Sequence, residues 1–293
     1  MSLNIKRIGT KILEFLKKVK KVCFANKKTV VGVSILLFFL LVAIFGQLIF
    51  PYDPTVDALN KFEKPSAEHF LGTDELGRDL FRQMVHGCRD VLVIAFLTSL
   101  FAVSIGVVLG MLSGLVGGIV DKVISMITNL FLSIPSFPMM LMMSAFLQID
   151  DSVMFALVLA MFNWAGLCRA VRSQIISIKE REYILICKVM NLSKAHIIFK
   201  ELLPNLYSYI LVNFILIMRN AIIGSVGIMM LGLASFEPSN WGAVLQRAKA
   251  VILNPDATLL WLAPIVSIGV FQTGALLLAN GLDETLNPRL KSN

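Results

Sequence analysis

Six stretches of the chain are apolar for long enough to cross a bilayer: residues 30–50, 91–117, 123–148, 152–170, 206–234 and 259–281. A spanning helix needs about 20 predominantly apolar residues. The first stretch, VVGVSILLFFLLVAIFGQLIF, follows a basic leader, is too long for a signal-peptide core and lacks a small-x-small cleavage site, so it reads as a retained anchor. The pattern predicts an all-α, polytopic membrane protein of six transmembrane helices. Its expected parts are a leader (1–29), the first span (30–50), an extracytoplasmic connection (51–90), a transmembrane core (91–281) and a tail (282–293).

Polar stretches between the spans carry their own patterns. In the leader, Ile5, Ile8, Ile12, Phe15, Val19 and Val22 recur at helical spacing with Lys11, Lys17, Lys18 and Lys21 mostly off that stripe. That is a basic amphipathic helix suited to anionic membrane lipid; a disordered basic arm is the alternative. In LGTDELGRDLFRQMVHG, Thr73 and Asp74 offer N-cap oxygens and Glu75 suits a first turn, predicting a helix that leads into the second span.

Within the second span Ala102, Gly106, Gly110, Gly114 and Gly118 recur every four residues. Small residues at that spacing let another backbone approach closely, and the partner helix lies in this chain or in another. The third span carries SIPSFPMMLMM, where Pro135 and Pro138 interrupt the ladder. Met139 and Met143, among other methionines, offer a polarizable surface suited to a pathway wall, or ordinary packing of a kinked helix.

REYILICKVMNLSKAHIIFKELLPN, residues 181–205, is too charged for the bilayer core and too short for a domain. Ser177 and Glu180 have capping-box spacing for a helix over 178–190. Asn191 is suited to the left-handed turn that ends it. Ser193 caps a second short helix that Pro204 closes. On that helix Ala195, Ile198, Phe199 and Leu202 form an apolar stripe, and Lys194, His196, Lys200 and Glu201 face water or a partner. Such a two-faced knuckle can be pushed; an amphipathic pair resting on lipid is the alternative.

Composition agrees with the pattern: 57% of the residues are hydrophobic and 16% charged. The net charge of +8 reads as topology, without nucleic acid. Lys and Arg gather before residue 30, in the 169–200 connection and in the tail, whereas 51–87 is mixed or acidic, which puts both termini in the cytoplasm. Cys23, Cys88, Cys168 and Cys187 are scattered without disulfide or zinc spacing.

The five later spans hold no Asp, Glu or His in their central stretches, so an internal proton relay is missing. There is no GxxxxGK[ST] loop, which excludes a P-loop ATPase in this chain. No cofactor is indicated here; an active process needs a motor on another subunit. Arg219 is the one central charge, and placing it costs about 2.5–3.5 kcal/mol on insertion scales. It therefore faces a cavity or a partner, or pairs with backbone carbonyls aided by Asn213 or Asn220.

Four blocks, HFLGTDELGRDLFRQMVHG, the 181–205 segment, LGLASFEPSNWGAVLQRA and ANGLDETLNPRL, together resemble the type I ABC importer permeases, specifically the C-type membrane subunit of the dipeptide, oligopeptide and nickel transporter family. The resemblance runs from about residue 28 to the C-terminus. It implies that 178–204 holds the coupling helices seated in an ATP-hydrolysing subunit, with Glu182, Tyr183, Cys187, Met190, Asn191, Ser193, Ala195, His196, Phe199 and Pro204 as coupling residues. Leu185, Ile186 and Cys187 stand where the family has Glu-Ala-Ala, and Asn191 replaces its usual glycine. The implied partners are a second, B-type permease chain, two ABC ATPase subunits that hold ATP and Mg, and an extracytoplasmic solute-binding protein. Phe236, Trp241 and Gly242 resemble the outer loop before the last span and are expected to help receive that binding protein. The implied function is half of a translocation pathway for peptides, nickel or a metal chelate, in the cell membrane. A passive channel or a structural membrane subunit is the competing function.

Overall fold

A computed structural model describes residues 24, 26–147, 149–193, 196–234 and 237–286. The leader stripe, Cys23, Lys194, Ala195, Phe236 and the tail from 287 lie outside the described residues. The chain runs through α1 (Lys27–Ile49), α2 (Leu80–Val116), α3 (Gly118–Ser133), α4 (Ser136–Leu147), α5 (Ser152–Lys179) and α6 (Glu182–Val189). A π-helical turn (Ile197–Leu202) then enters α7 (Leu203–Met230), followed by α8 (Trp241–Ala250), a 3-10 turn (Pro255–Ala257) and α9 (Thr258–Leu286). The described residues contain no strand, only the isolated bridges Thr73–Asp79 and Ile149–Ala234.

Helices α1, α2, α5, α7 with its π turn, and α9 are each long and apolar enough to cross a membrane. The third expected span is instead two helices, α3 and α4, bent by 86°. Pro135 is the cause: the residue before a proline is driven out of the helical region, and Ile134 is extended at φ −86°, ψ 132°. The packing of α2 on α5 shows what the bent pair does. A Cβ at Gly106 would lie 2.9 Å from the Trp164 carbonyl, at Gly110 2.7 Å from that of Cys168, and at Gly114 2.6 Å from Ile175 Cγ2. Contacts that advance together along both helices make α2 and α5 parallel, so α3 and α4 must return the chain to the far end. The bent pair is a broken sixth crossing.

The glycine stripe thus finds its partner within this chain, and Ala102 is fully buried in the same interface. Gly118 is a correction. It has φ +58° and nothing within 4 Å of its Cβ position, and with Gly117 at φ +69° it forms the corner between α2 and α3. A left-handed corner favours glycine for its missing Cβ.

Helices run further than hydropathy alone suggests. The 37 residues of α2 amount to about 55 Å of helix, against a hydrocarbon core of about 30 Å. Its N-cap is Asp79, whose side chain accepts from Arg82 N, in place of the expected Thr73 or Asp74. Asp74 instead accepts from Leu76 N at 2.8 Å and Arg78 N at 2.9 Å, closing a turn of its own.

A second close helix pair has no periodic signature in the sequence. α1 lies antiparallel to α9, with Gly32 against the Leu278 backbone at 2.4 Å and Gly274 against Ile35 Cγ2 at 2.5 Å, measured from an added Cβ. Asn26 both caps α1, accepting from Thr29 N at 2.7 Å, and donates to the Gly281 carbonyl at 3.1 Å. Lys28 pairs with Glu284 beside it. The buried apolar side chains form three clusters: one joining α1, α2, α7, α8 and α9, one joining α2, α5, α7 and the 181–202 elbow, and a smaller one around Phe155 and Met229.

Candidate functional site

The elbow at 180–202 is built as a bracket with one face in the core. α5 continues through Ser177 to Lys179, so the expected capping box at Ser177 and Glu180 does not form; a transmembrane helix already running past the apolar zone has no reason to stop at an internal serine. The break falls at Glu180, and α6 starts at Glu182. Asn191 ends α6 with φ +52°. Leu192 N donates to the Cys187 carbonyl at 3.0 Å, the six-to-one bond of a Schellman turn. Ser193 then caps the next helix, its hydroxyl accepting from His196 N at 3.2 Å.

Pro204 does not close that helix. It sits in the first turn of α7, and the helix runs continuously through the π turn. A proline ring clashes with the carbonyl four residues back, and the wider π turn, in which Leu203 N reaches the Ile198 carbonyl, relieves that clash. The elbow is therefore rigidly continuous with a membrane span.

Ile184, Ile197 and Leu202 anchor the bracket in the core. Tyr183 packs on the same cluster, and its hydroxyl accepts from Asn205 Nδ2 at 3.4 Å. The expected stripe is half right: Leu202 is buried, but Phe199 is 66% exposed and Ile197 takes the inward place. Leu185, Ile186, Val189 (86%) and Met190 (65%) also face outward. Glu182, Asn191 and Ser193 are exposed, while Cys187 and His196 are half-buried, with His196 Nε2 4.0 Å from Glu201 Oε1. The bracket presents a greasy outer surface that no other described residue covers.

At the same end, Arg172 of α5 grips Asp121 of α3 with two nitrogens, Nη2 donating to Oδ2 at 2.6 Å. Ser113 and Ser125 hydroxyls also donate to Asp121, and Lys179 caps the Gly114 carbonyl at 2.9 Å. Little in the sequence marks this latch: one carboxylate just after a Gly-Gly corner and an arginine late in the next straight span.

The far end is fastened by a second ionic cluster joining two of the four sequence blocks. Arg78 Nε donates to Asp74 Oδ2 at 2.9 Å, Gln83 Nε2 to the same oxygen at 2.9 Å, and Arg247 Nη2 of α8 to Gln83 Oε1 at 2.7 Å. Arg247 Nε also stands 2.8 Å from Glu75 Oε1. Burial alone would raise Asp74, but the bonds from Arg78, Gln83 and Leu76 outweigh it and hold the carboxyl below its ordinary range. A lowered native value stabilises the fold above the unfolded pKa of about 3.9 and stops doing so as pH falls through the native value. Thermal unfolding in detergent is therefore expected to be insensitive to this group from pH 5 to 8 and to worsen in stronger acid. Asp74→Asn should lower the midpoint at pH 7 and flatten that acid limb; an unchanged limb would refute the assignment.

Trp241 and Gly242 correct another expectation. Trp241 is 2% exposed and donates Nε1 to the Met84 carbonyl at 2.9 Å, and a Cβ on Gly242 would come within 2.4 Å of Met229. Both are core positions that seat α8 on α2 and α7, so neither is free to receive another protein.

Of the pathway residues, Pro135 and Pro138 are exposed and Met139 and Met143 half-buried, on a bent pair whose apolar surface is largely uncovered. Phe137 of α4 packs at Gly227 of α7. Arg219 is half-buried in α7; its Nε is enclosed without a hydrogen-bond partner, and only its carbonyl is engaged, by Gln272 Nε2 at 2.9 Å. Asn213 is spent on the Tyr209 carbonyl at 2.8 Å. Neither carbonyl pairing of the guanidinium nor help from Asn213 is observed.

Broken and continuous spans around parallel α2 and α5, with a helical elbow at one end, define a polytopic α-helical membrane protein. The model of the binding-protein-dependent transport system inner membrane component family matches residues 106–292, and that of the N-terminal transmembrane domain of oligopeptide transport permease C matches residues 15–65. The chain belongs to this permease family. It is 34% identical to the dipeptide transport system permease protein DppC of Alkalihalophilus pseudofirmus, over 95% of this chain and 90% of that one. It is 29% identical to the oligopeptide transport system permease protein OppC of Bacillus subtilis, over 98% and 94%. It is 30% identical to the glutathione transport system permease protein GsiD of Pectobacterium atrosepticum, over 86% and 83%. The protein is thus a multi-pass membrane permease and not itself an enzyme by family.

Proposed function

We propose that this permease forms half of the translocation pathway of an ATP-driven peptide importer, with its elbow seated in a cleft of a separate ATPase subunit. Both termini and the elbow are cytoplasmic in this reading, in line with the excess of Lys and Arg at that end. A second, B-type permease chain supplies the other half. Two ATPase subunits bind ATP and Mg, and a solute-binding protein delivers cargo to the far end.

The observation that carries the reading is the outward apolar set Leu185, Ile186, Val189, Met190 and Phe199 on a bracket whose inner face is locked into the core. A surface of that kind in water calls for a protein partner. The Leu185–Ile186–Cys187 sequence, in place of a carboxylate-led motif, fits an apolar cleft on the ATPase side. Peptide is the favoured cargo because the dipeptide and oligopeptide permeases match nearly the whole chain, although one relative is named for glutathione.

The test is purification of the tagged permease with the products of neighbouring genes, followed by uptake of radiolabelled dipeptide into proteoliposomes with and without ATP. ATP-dependent uptake is expected. Passage that ignores ATP would favour a channel, and absence of an ATPase from the purified complex would defeat the coupling assignment.

A further inference from the structure

Arg219 belongs to the buried stripe of α7, with Ile215 one turn before it and Ile222 one turn after, both enclosed. It stands near the middle of α7, and Gln272, near the middle of α9, fixes the backbone there by donating to its carbonyl. A cation at that depth needs a counter-charge or a polar cavity. Among the described residues no acid forms an ion pair with it: Asp283 and Glu284 sit near the end of α9, and Asp90, three turns into α2 and at a comparable level, is not paired with it. Nε is enclosed and unbonded, and Gln272 Oε1 is an enclosed, unpaired acceptor.

The next residue gives the site a direction. Asn220 is exposed and lies one heptad before Gly227, hence on the same helix face. Gly227 is covered by Phe137 of the bent α4. Seven residues of helix, about 10 Å, separate that cover from Asn220, so the polar level Arg219–Asn220 opens just beyond the point where the broken span leaves α7. Substrate sites in transporters gather near the bilayer midplane beside discontinuous helices.

We propose that Arg219 is a carboxylate-binding residue at the middle of the pathway, engaged by the free C-terminal carboxylate of the passing peptide, with Asn220 as an accompanying amide donor and Gln272 as a positioning residue. The proposal rests on the peptide-importer reading above. A guanidinium fork matches a carboxylate in two parallel hydrogen bonds, which an amidated C-terminus cannot reproduce.

The complete transporter with its binding protein, reconstituted in liposomes, provides the test. Uptake of a dipeptide with a free C-terminus and of its C-terminal amide is measured at matched subsaturating concentrations for the wild type, Arg219→Gln and Arg219→Lys. In Arg219→Gln the ratio of free-acid to amide uptake is expected to fall about tenfold, the scale of a charged hydrogen bond, while complex assembly and ATP hydrolysis persist. Arg219→Lys should recover part of the ratio. An unchanged ratio in Arg219→Gln overturns the proposal. So does failed assembly in Arg219→Gln with the charge-keeping Arg219→Lys intact, the result expected if an acid of the second permease chain is the counter-ion. A wild type that takes up neither peptide under ATP marks failure of the importer reading itself, before any variant is compared.

Discussion

Gly110→Leu is expected to prevent stable assembly of the permease. Already the Cβ would lie 2.7 Å from the Cys168 carbonyl oxygen and 2.8 Å from Val171 Cβ, and neither is the free end of a flexible side chain. The leucine therefore forces α2 and α5 apart. Overpacking in cores costs about 1–3 kcal/mol when side chains can adjust; here backbone is in the way, and the loss extends along the Ala102–Gly106–Gly110–Gly114 seam. Thermal unfolding and size-exclusion profiles in detergent report the effect directly. Gly166→Leu is the control, since nothing lies within 4 Å of its Cβ position. Equal stability of Gly110→Leu and wild type would mean that the parallel pairing of these helices is wrong.

Met190→Glu combined with Phe199→Glu is expected to abolish ATP-dependent uptake while leaving insertion and thermal stability near wild type. Both side chains are mostly exposed, so the exchange costs the isolated permease little, and surface substitutions usually stay within about 0.5 kcal/mol. In a dry cleft the same two carboxylates would be buried unpaired, each costing several kcal/mol. Co-purification of the ATPase should fall together with uptake. Normal coupling in the double variant would show that the outward face touches no partner. Ile184→Glu offers a useful contrast, because Ile184 is buried in the core and its loss should damage folding first.

Which features could be read in the sequence follows from how local their causes are. The glycine stripe announces itself by a four-residue repeat within one helix, and Asn191 and Ser193 declare a turn and a cap through their own side chains. The Gly32, Gly274 and Gly281 contacts have no such signature, since they sit on helices separated by most of the chain and become a seam only when these meet. The start of α2 reads too early, since the oxygens of Thr73 and Asp74 look like caps but Asp74 closes a turn of its own and Asp79 is the cap. The end of α5 reads too early because hydropathy marks where lipid is, whereas Lys179 and packing on α2 carry the helix past it. Pro204 reads as a stop because proline usually is one; the π turn before it makes the exception. The outer-loop place expected of Trp241 comes from resemblance alone, and nothing local in the sequence marks the Met84 carbonyl and the Phe39 ring that hold it in the core.

The antiparallel seam between α1 and α9 bears on biogenesis. Asn26 meets Gly281 across 255 residues of chain, so α1 docks on α9 only after the helices between them have been made. Until then the anchor's groove stands open to lipid, and a chain terminated before Gly274 can never fill it. A chain cut short of α9 would thus keep an unfilled groove on α1, a physical difference from a chain in which the two helices have met.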